Sequence, residues 1–355
     1  MNTAPRNPLP PTTPVTSPHP SLSHIKCPIP HTPPTRAGSI EKHTLDWFAR
    51  FGFGASAAER EMLVACAPAH CACMLTPDAP EDLLRFSSAY IVWGLLFDTL
   101  LDHGELADRK RNYALLAPQL VRTLNDPWRR PEGLHPVILL LRDMRLYLEG
   151  RVSAPQIRRW VDSHARYMTG VARELLDAER GVLPTLDDFL YLRMYTAAGA
   201  AGAALVDLCA GPGPDATELE TPSVHALTDA ASIVMSLFGD LGSAPKEGPL
   251  DYNIVNVIAH ELACTRAEAT TEAVHLCNRI IDQFCRLRAE VSPTLSPPTR
   301  TYLTALGGLI RGVLDWSDLV PRYSAHPVTD HPDMTRAPRI DPRDLASIAW
   351  WSEGW

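Results

Sequence analysis

From Glu41 onward, apolar residues recur at helical spacing almost without interruption, and no run of alternating β-branched residues competes with that pattern. A chain patterned this way has no strands to ladder into a sheet, so it must bury the apolar stripes of helices against one another. Breaks fall at Pro68, Pro77, Pro80, Pro127, Pro131, Pro184, the Gly211–Pro214 loop and between Pro293 and Pro298. The spacing predicts helices over 41–53, 57–66, 69–75, 80–104, 109–124, 134–150, 154–179, 185–209, 222–247, 252–262, 266–291 and 297–317. With 45% hydrophobic residues to fill a core, residues 37–324 are expected to form one all-α domain. The first 36 residues hold 11 of the 33 prolines and no periodic apolar pattern, and are read as a disordered extension. Residues 325–355 are read as a polar tail whose Trp350, Trp351 and Trp355 either dock on the body or offer a contact surface.

Charge narrows the class of partner. A net charge of −8 and a pI near 5.9, with no long Lys/Arg run, exclude the basic footprint of a nucleic-acid binder. The longest apolar run, Ile91 to Phe97, falls far short of the roughly 20 residues that cross a bilayer, so a cytoplasmic protein with no membrane span is expected. In a chain this long and without a secretory leader the eight cysteines are read as free thiols and not as a disulfide framework, and the spacing of Cys66, His70, Cys71 and Cys73 fits no zinc template.

Two short stretches carry the chemistry. In FDTLLD, Asp98 and Asp102 are i and i+4 on a helix whose preceding turns bear Tyr90, Trp93 and Phe97. Carboxylates one turn apart suit Mg²⁺, which takes a few carboxylates and completes its shell with water and phosphate oxygens. Alone, the pair reads more readily as a solvated helix end. In GDLGSAPKE, Gly239, Ser243 and Glu247 stand at i, i+4 and i+8. An Arg suited to bidentate phosphate binding, Arg193, sits in LDDFLYLRMYTAAGAAG, 46 residues before Gly239. The stretch LDWSDLVPRYS supplies Trp316, Arg322 and Tyr323.

In this order the stretches resemble the motifs of the class I terpene synthases, from about residue 42, in HTLDWFARFG, to 324. The resemblance implies a class I terpenoid synthase helical bundle around a central active-site cavity, and a carbon–oxygen lyase acting on phosphates. It implies Mg²⁺, three ions in that family, bound by Asp98, Asp102, Ser243 and Glu247, with Asp240 a neighbouring candidate ligand. It assigns Arg193, Lys246, Arg322 and Tyr323 to the substrate diphosphate, and Arg193 also to catalysis. Phe97, Trp316, Trp93 and Phe238 are candidate faces for stabilising cations. The implied substrate is a linear prenyl diphosphate of C10 to C15. The Pro-rich leader is similar in composition to that of bacterial 2-methylisoborneol synthases, which adds 2-methylgeranyl diphosphate to the candidates. Departures are Thr99 for an Asp, Gly239 for an Asn, and Pro245 inside the second motif. A relative with impaired catalysis and a helical interaction protein are the competing readings. A homodimer, and a protein partner for the leader, stay open.

Overall fold

A computed structural model describes residues 19–102, 104–129, 132–320, 323 and 329–352. In chain order the helices are α1 Ala37–Ala49, α2 Ala57–Ala65, α3 Pro68–Leu75, α4 Glu81–Asp102, α5 Leu106–Asn125, α6 Pro136–Tyr147, α7 Ala154–Arg180, α8 Leu186–Thr196, α9 Gly199–Cys209, α10 Ala216–Leu219, α11 Pro222–Ser243, α12 Ile254–Glu261, α13 Arg266–Val291, α14 Pro297–Leu319 and α15 Ala346–Ala349. No strand occurs among the described residues, in line with the helical spacing.

Local chemistry sets the helix ends. Ser56 with Glu59, Ser153 with Gln156, and Thr265 with Glu268 close capping boxes on α2, α7 and α13. Gly181, with φ at 64°, ends α7 in the left-handed conformation that only glycine adopts without cost. The apolar α11 packs against α9, α13 and α14, while α4 packs on α1, α3 and α6, and α7 on α5, α8 and α9. The core runs between these layers, with Phe48, Phe86, Trp160, Phe189, Phe238 and Phe284 fully buried. By length and composition α4 could cross a bilayer, as could α8 and α9 taken together, but 56% of α4's apolar window is buried inside this bundle.

Three expectations are corrected. The helix expected over 185–209 is two helices, bent by 41° at a break where Ala198 takes φ 60°. Alanine is a good helix former and no proline marks the place, so tertiary packing decides it. A Cβ on Gly199 would stand 2.5 Å from the Ser232 carbonyl, so α9 starts where the backbone can press onto α11. Second, the helix expected over 222–247 stops at Ser243, and Ala244–Lys246 form a 3₁₀ turn. Pro245 lacks the N–H that an α-helix would need there.

The third correction concerns the flanks. Residues 1–18 and Trp355 lie outside the described residues, but residues 19–36 form an ordered strap across α13 and α14 rather than a disordered tail. Asn278 accepts from the Lys26 N–H at 2.7 Å, His31 meets Asp315 at 2.6 Å, and Asp318 accepts from the His19 N–H at 3.3 Å. His19, Leu22 and Ile29 are buried beneath it. Prolines fix the backbone of this segment in advance and so lower the entropic cost of laying it down. Residues 329–352 likewise dock along α13: Glu272 accepts from the Arg339 and Ile340 N–H groups, and Gln283 donates to the Trp351 carbonyl at 2.9 Å. Trp351 is buried, so it docks on the body. If the strap contributes to stability, Leu22→Ala should lower the unfolding free energy by about 2–3 kcal/mol in a denaturant melt; a change within 0.5 kcal/mol would mean the strap is merely laid on the surface.

Candidate active site

A cavity of about 280 Å³ opens between α4, α7, the α8/α9 break, α11 and α14. Helix α4 presents Tyr90, Trp93, Gly94, Phe97, Asp98 and Asp102 to it, a single stripe that changes from aromatic to acidic toward the helix C-terminus. Trp93 stacks between Tyr90 and Phe97, with ring centroids 5.5 and 5.0 Å away. The opposite wall is the break, whose Thr196, Ala197, Ala198, Ala201 and Gly202 bring backbone close to the cavity. Gly239, Ser243, Lys246, Glu247, Trp316 and Tyr323 also line it, with Arg193 from α8 and His164 and Tyr167 from α7.

The structure gathers Phe97, Asp98, Asp102, Arg193, Ser243, Lys246, Glu247, Trp316 and Tyr323 around one cavity. Arg322 lies outside the described residues. Phe238 is fully buried and is not among the lining residues, which removes it as a cation-stabilising face.

Asp240 is a correction too. It points away from the cavity, fully buried, and its carboxylate accepts from Arg193 Nε at 3.1 and 3.3 Å, from Arg193 Nη2, and from the Ile254 N–H at 3.1 Å. With both oxygens engaged, it is an anchor for Arg193 and has no lone pair aimed at a cavity ion. Arg193 Nη1 also donates to Thr196 Oγ1 at 3.2 Å, tying the guanidinium to the end of α8. Burial alone would lower this group, but Asp240 and Glu174 outweigh it and hold Arg193 above its ordinary range, permanently cationic.

Two residues that the motifs do not contain shape the polar rim. Glu174 on α7 lies 3.9 Å from Arg109, which in turn lies 3.9 Å from Asp102. Burial pushes the Glu174 carboxyl up to about 7 against the pull of Arg193 and Arg109. Burial, Asp98 and Glu174 likewise push Asp102 upward, although 41% of its side chain stays open at the mouth. Asn253, fully buried, donates to the Asp240 carbonyl at 2.8 Å and to Glu247 Oε2 at 2.6 Å, and caps α12 through its own oxygen. It holds Glu247 beside Ser243 after the 3₁₀ turn has carried the chain off the helix face. Periodicity gives no sign of either, because Glu174 meets a residue of another helix and Asn253 acts from the loop between α11 and α12.

The donor set fits a hard divalent cation. Among the described residues no three of His, Cys, Asp and Glu converge on one point, so protein ligands alone do not enclose an ion. Asp98 with Asp102 on one wall and Ser243 with Glu247 on the other instead form two partial sets, each needing oxygens from water or a phosphate. The crowded carboxylates of Asp98, Asp102 and Glu174 are an excess of negative charge that a cation relieves. Gly239 contributes no side-chain oxygen. A Cβ there would meet nothing nearer than Tyr323 Oη at 3.9 Å, whereas one on Gly242 would press into the Tyr323 ring at 2.6 Å. The α11 face thus seats the tyrosine on Gly242 and leaves room beside Gly239.

A family model described as terpene synthase family 2, C-terminal metal binding, matches residues 89–283. Spiroviolene synthase of Streptomyces violens is 29% identical over 345 residues, covering 93% of this chain and 96% of that protein. A (+)-T-muurolol synthase of Streptomyces clavuligerus, named as (2E,6E)-farnesyl diphosphate cyclizing, is 28% identical over 351 residues, covering 93% of this chain and 83% of that one. The crystal structure of the SVS_A2 protein from ancestral sequence reconstruction superposes with a TM-score of 0.79 at 30% identity, covering 92% of this chain and 97% of that one.

Proposed function

We propose a substrate and a division of labour for a chain that belongs to the bacterial class I terpene synthases and, as a lyase, acts on a prenyl diphosphate. The proposed substrate is farnesyl diphosphate, the compound named for one relative and within the C10 to C15 range expected from sequence. The proposed metal is Mg²⁺, held by Asp98, Asp102, Ser243 and Glu247, where it would neutralise the diphosphate. The carrying observation is the polarity of one cavity, acidic and cationic at its mouth and aromatic below.

Arg193 and Lys246 bind the diphosphate oxygens. One unit-charge contact at about 4 Å contributes roughly 4 kcal/mol at an effective dielectric of about 20, so several preorganised contacts favour carbon–oxygen cleavage strongly. Asp240 keeps Arg193 aimed, and Tyr323, seated on Gly242, lines the same cavity as Lys246. Below the rim Phe97, Trp93 and Trp316 exclude water and face the allylic cation, at roughly 0.5–2 kcal/mol per ring. The Trp316 indole N–H is fixed by the Cys66 carbonyl at 2.5 Å, which sets the ring plane.

The test is incubation with geranyl, 2-methylgeranyl, farnesyl and geranylgeranyl diphosphates, with and without Mg²⁺, followed by product analysis. A cyclic product from farnesyl diphosphate that requires Mg²⁺ is expected. Cyclisation of another chain length alone would overturn the substrate, and turnover without a divalent cation would overturn the metal.

Gly239 supports a second reading, in which this chain has a weakened second metal site. Gly239→Asn should then fold normally, because the site has room, and should bind Mg²⁺ more tightly in the presence of inorganic diphosphate by calorimetric titration. Unchanged affinity would mean that water or the substrate already fills that place.

A further inference from the structure

The deep end of the cavity holds a polar pair that the ionisation chemistry does not use. Tyr90 and His164 both line it, and both are nearly inaccessible to solvent, at 7% and 2%. Tyr90 Oη lies 2.8 Å from His164 Nε2, and His164 Nδ1 lies 2.7 Å from the Trp160 carbonyl. A carbonyl only accepts, so Nδ1 carries the hydrogen and Nε2 presents a lone pair. Tyr90 therefore donates to Nε2, and its oxygen, with the Trp160 indole beside it, has two lone pairs with which to accept. Among the described lining residues His164 is the one imidazole, the other nitrogen groups being the cations Arg193 and Lys246 and the donor-only indoles of Trp93 and Trp316.

Position makes the pair useful. Tyr90 precedes Asp98 by eight residues on α4, about 12 Å along the helix axis. A diphosphate held at the rim is too far away to take a proton from a cation that has migrated to the aromatic end. We propose that Tyr90 and His164 form the proton acceptor that ends the cation sequence there, Tyr90 as the catalytic residue in contact with the hydrocarbon and His164 as the positioning and proton-storing residue behind it.

The step balances without an added reagent. The C–H bond next to the cationic carbon breaks and its electron pair becomes the new C=C bond. That proton goes to Tyr90 Oη while the hydroxyl proton of Tyr90 moves to His164 Nε2. The positive charge passes from carbon to an imidazolium packed edge-on against Trp160, with centroids 4.6 Å apart, and lying 5.7 Å from Trp93. Reopening of the cavity to water returns the proton. Burial lowers His164 to about 4 and pushes Tyr90 well above its usual range, so the resting pair is neutral imidazole and neutral phenol. A weak base suffices, because a C–H beside a carbocation is a far stronger acid than imidazolium.

The inference rests on the terpene cyclase reading, and the experiment separates the two. Full-length wild type, Tyr90→Phe and His164→Gln are compared with Mg²⁺ and farnesyl diphosphate, measuring diphosphate release and product composition independently. Tyr90→Phe keeps the ring stack, and His164→Gln keeps an acceptor for the Tyr90 hydroxyl but takes no proton. Both variants should release diphosphate within about threefold of wild type. Both should also lose the wild-type alkene by about tenfold or more in favour of the same earlier-terminated alkenes or water-capture alcohols. Wild-type products from either variant, or rescue by Gln at position 164, would overturn the relay. Loss of diphosphate release in both variants would reassign the pair to cavity shape and overturn it equally. If wild type itself releases no diphosphate, the substrate reading falls first and the relay with it.

Discussion

Asp98→Asn is expected to slow diphosphate release by about 10²–10³-fold, because one preorganised charge at the rim is then missing where negative charge develops on the leaving group. The same substitution should leave the metal-free protein as stable as wild type or slightly more so. Asp98 is one of the carboxylates that push Asp102 upward, and asparagine keeps an acceptor for the Tyr167 hydroxyl, 3.3 Å away, without the repulsion. Opposite movements of activity and melting temperature are the signature, read by a diphosphate-release assay and calorimetry on the same preparations. Turnover within tenfold of wild type would remove Asp98 from the ion-binding set. A fall in metal-free stability would mean that its charge is structural.

Asp240→Leu should be the most damaging change to the fold among the site residues. It leaves the Arg193 guanidinium buried without its counter-charge and frees the Ile254 N–H at the start of α12. Breaking a buried pair from one side costs about 3–5 kcal/mol, which in a chain of 355 residues corresponds to a fall in melting temperature of roughly 4–7 °C. The double variant Arg193→Met with Asp240→Leu replaces both charges by apolar groups, and should regain most of that stability while staying inactive. Recovery of stability without recovery of diphosphate release separates the two roles of the pair. A single variant that melts like wild type would show Arg193 turning outward to water, and the inward anchor would then be dispensable.

The order of Asp98, Arg193, Ser243 with Glu247, and Tyr323 is legible because spacing or flanking residues mark each, although Glu247 follows the 3₁₀ turn and not a helix, and the bundle brings them to one cavity. Asp240 was misread for a local reason. On an ideal helix it stands about 100° from Gly239, and which of two adjacent faces meets the cavity depends on where α8 lies. Glu174 and the Tyr90–His164 pair carry no short-range signal because each acts across helices far apart in the chain, and Asn253 carries none because its contacts with Asp240 and Glu247 depend on how the loop after the 3₁₀ turn folds back. The break at Ala198 is hidden in the same way, since Ala and Gly at 197–202 read as a permissive helix until Ser232 is seen to press on Gly199. Over residues 19–36 composition favours disorder, but Leu22 and Ile29 are buried, the turn carrying Leu22 packing on α11 and Ile29 lying near Gly307 of α14.

That strap also bears on how the chain reaches its fold. His19 is bonded to a residue 299 positions away and Lys26 to one 252 positions away, so these residues find their partners only when α13 and α14 have been made. At about 5–20 residues per second, the wait on the ribosome is on the order of ten seconds to a minute. During it, Leu22 and Ile29 are exposed apolar residues in a nascent chain, the kind of segment that collapses onto a neighbour or pairs with another copy. Repeated prolines withhold the backbone donors such mispairing needs and keep the segment extended. The composition that looks like disorder therefore suits a segment that must stay idle and then close the bundle last.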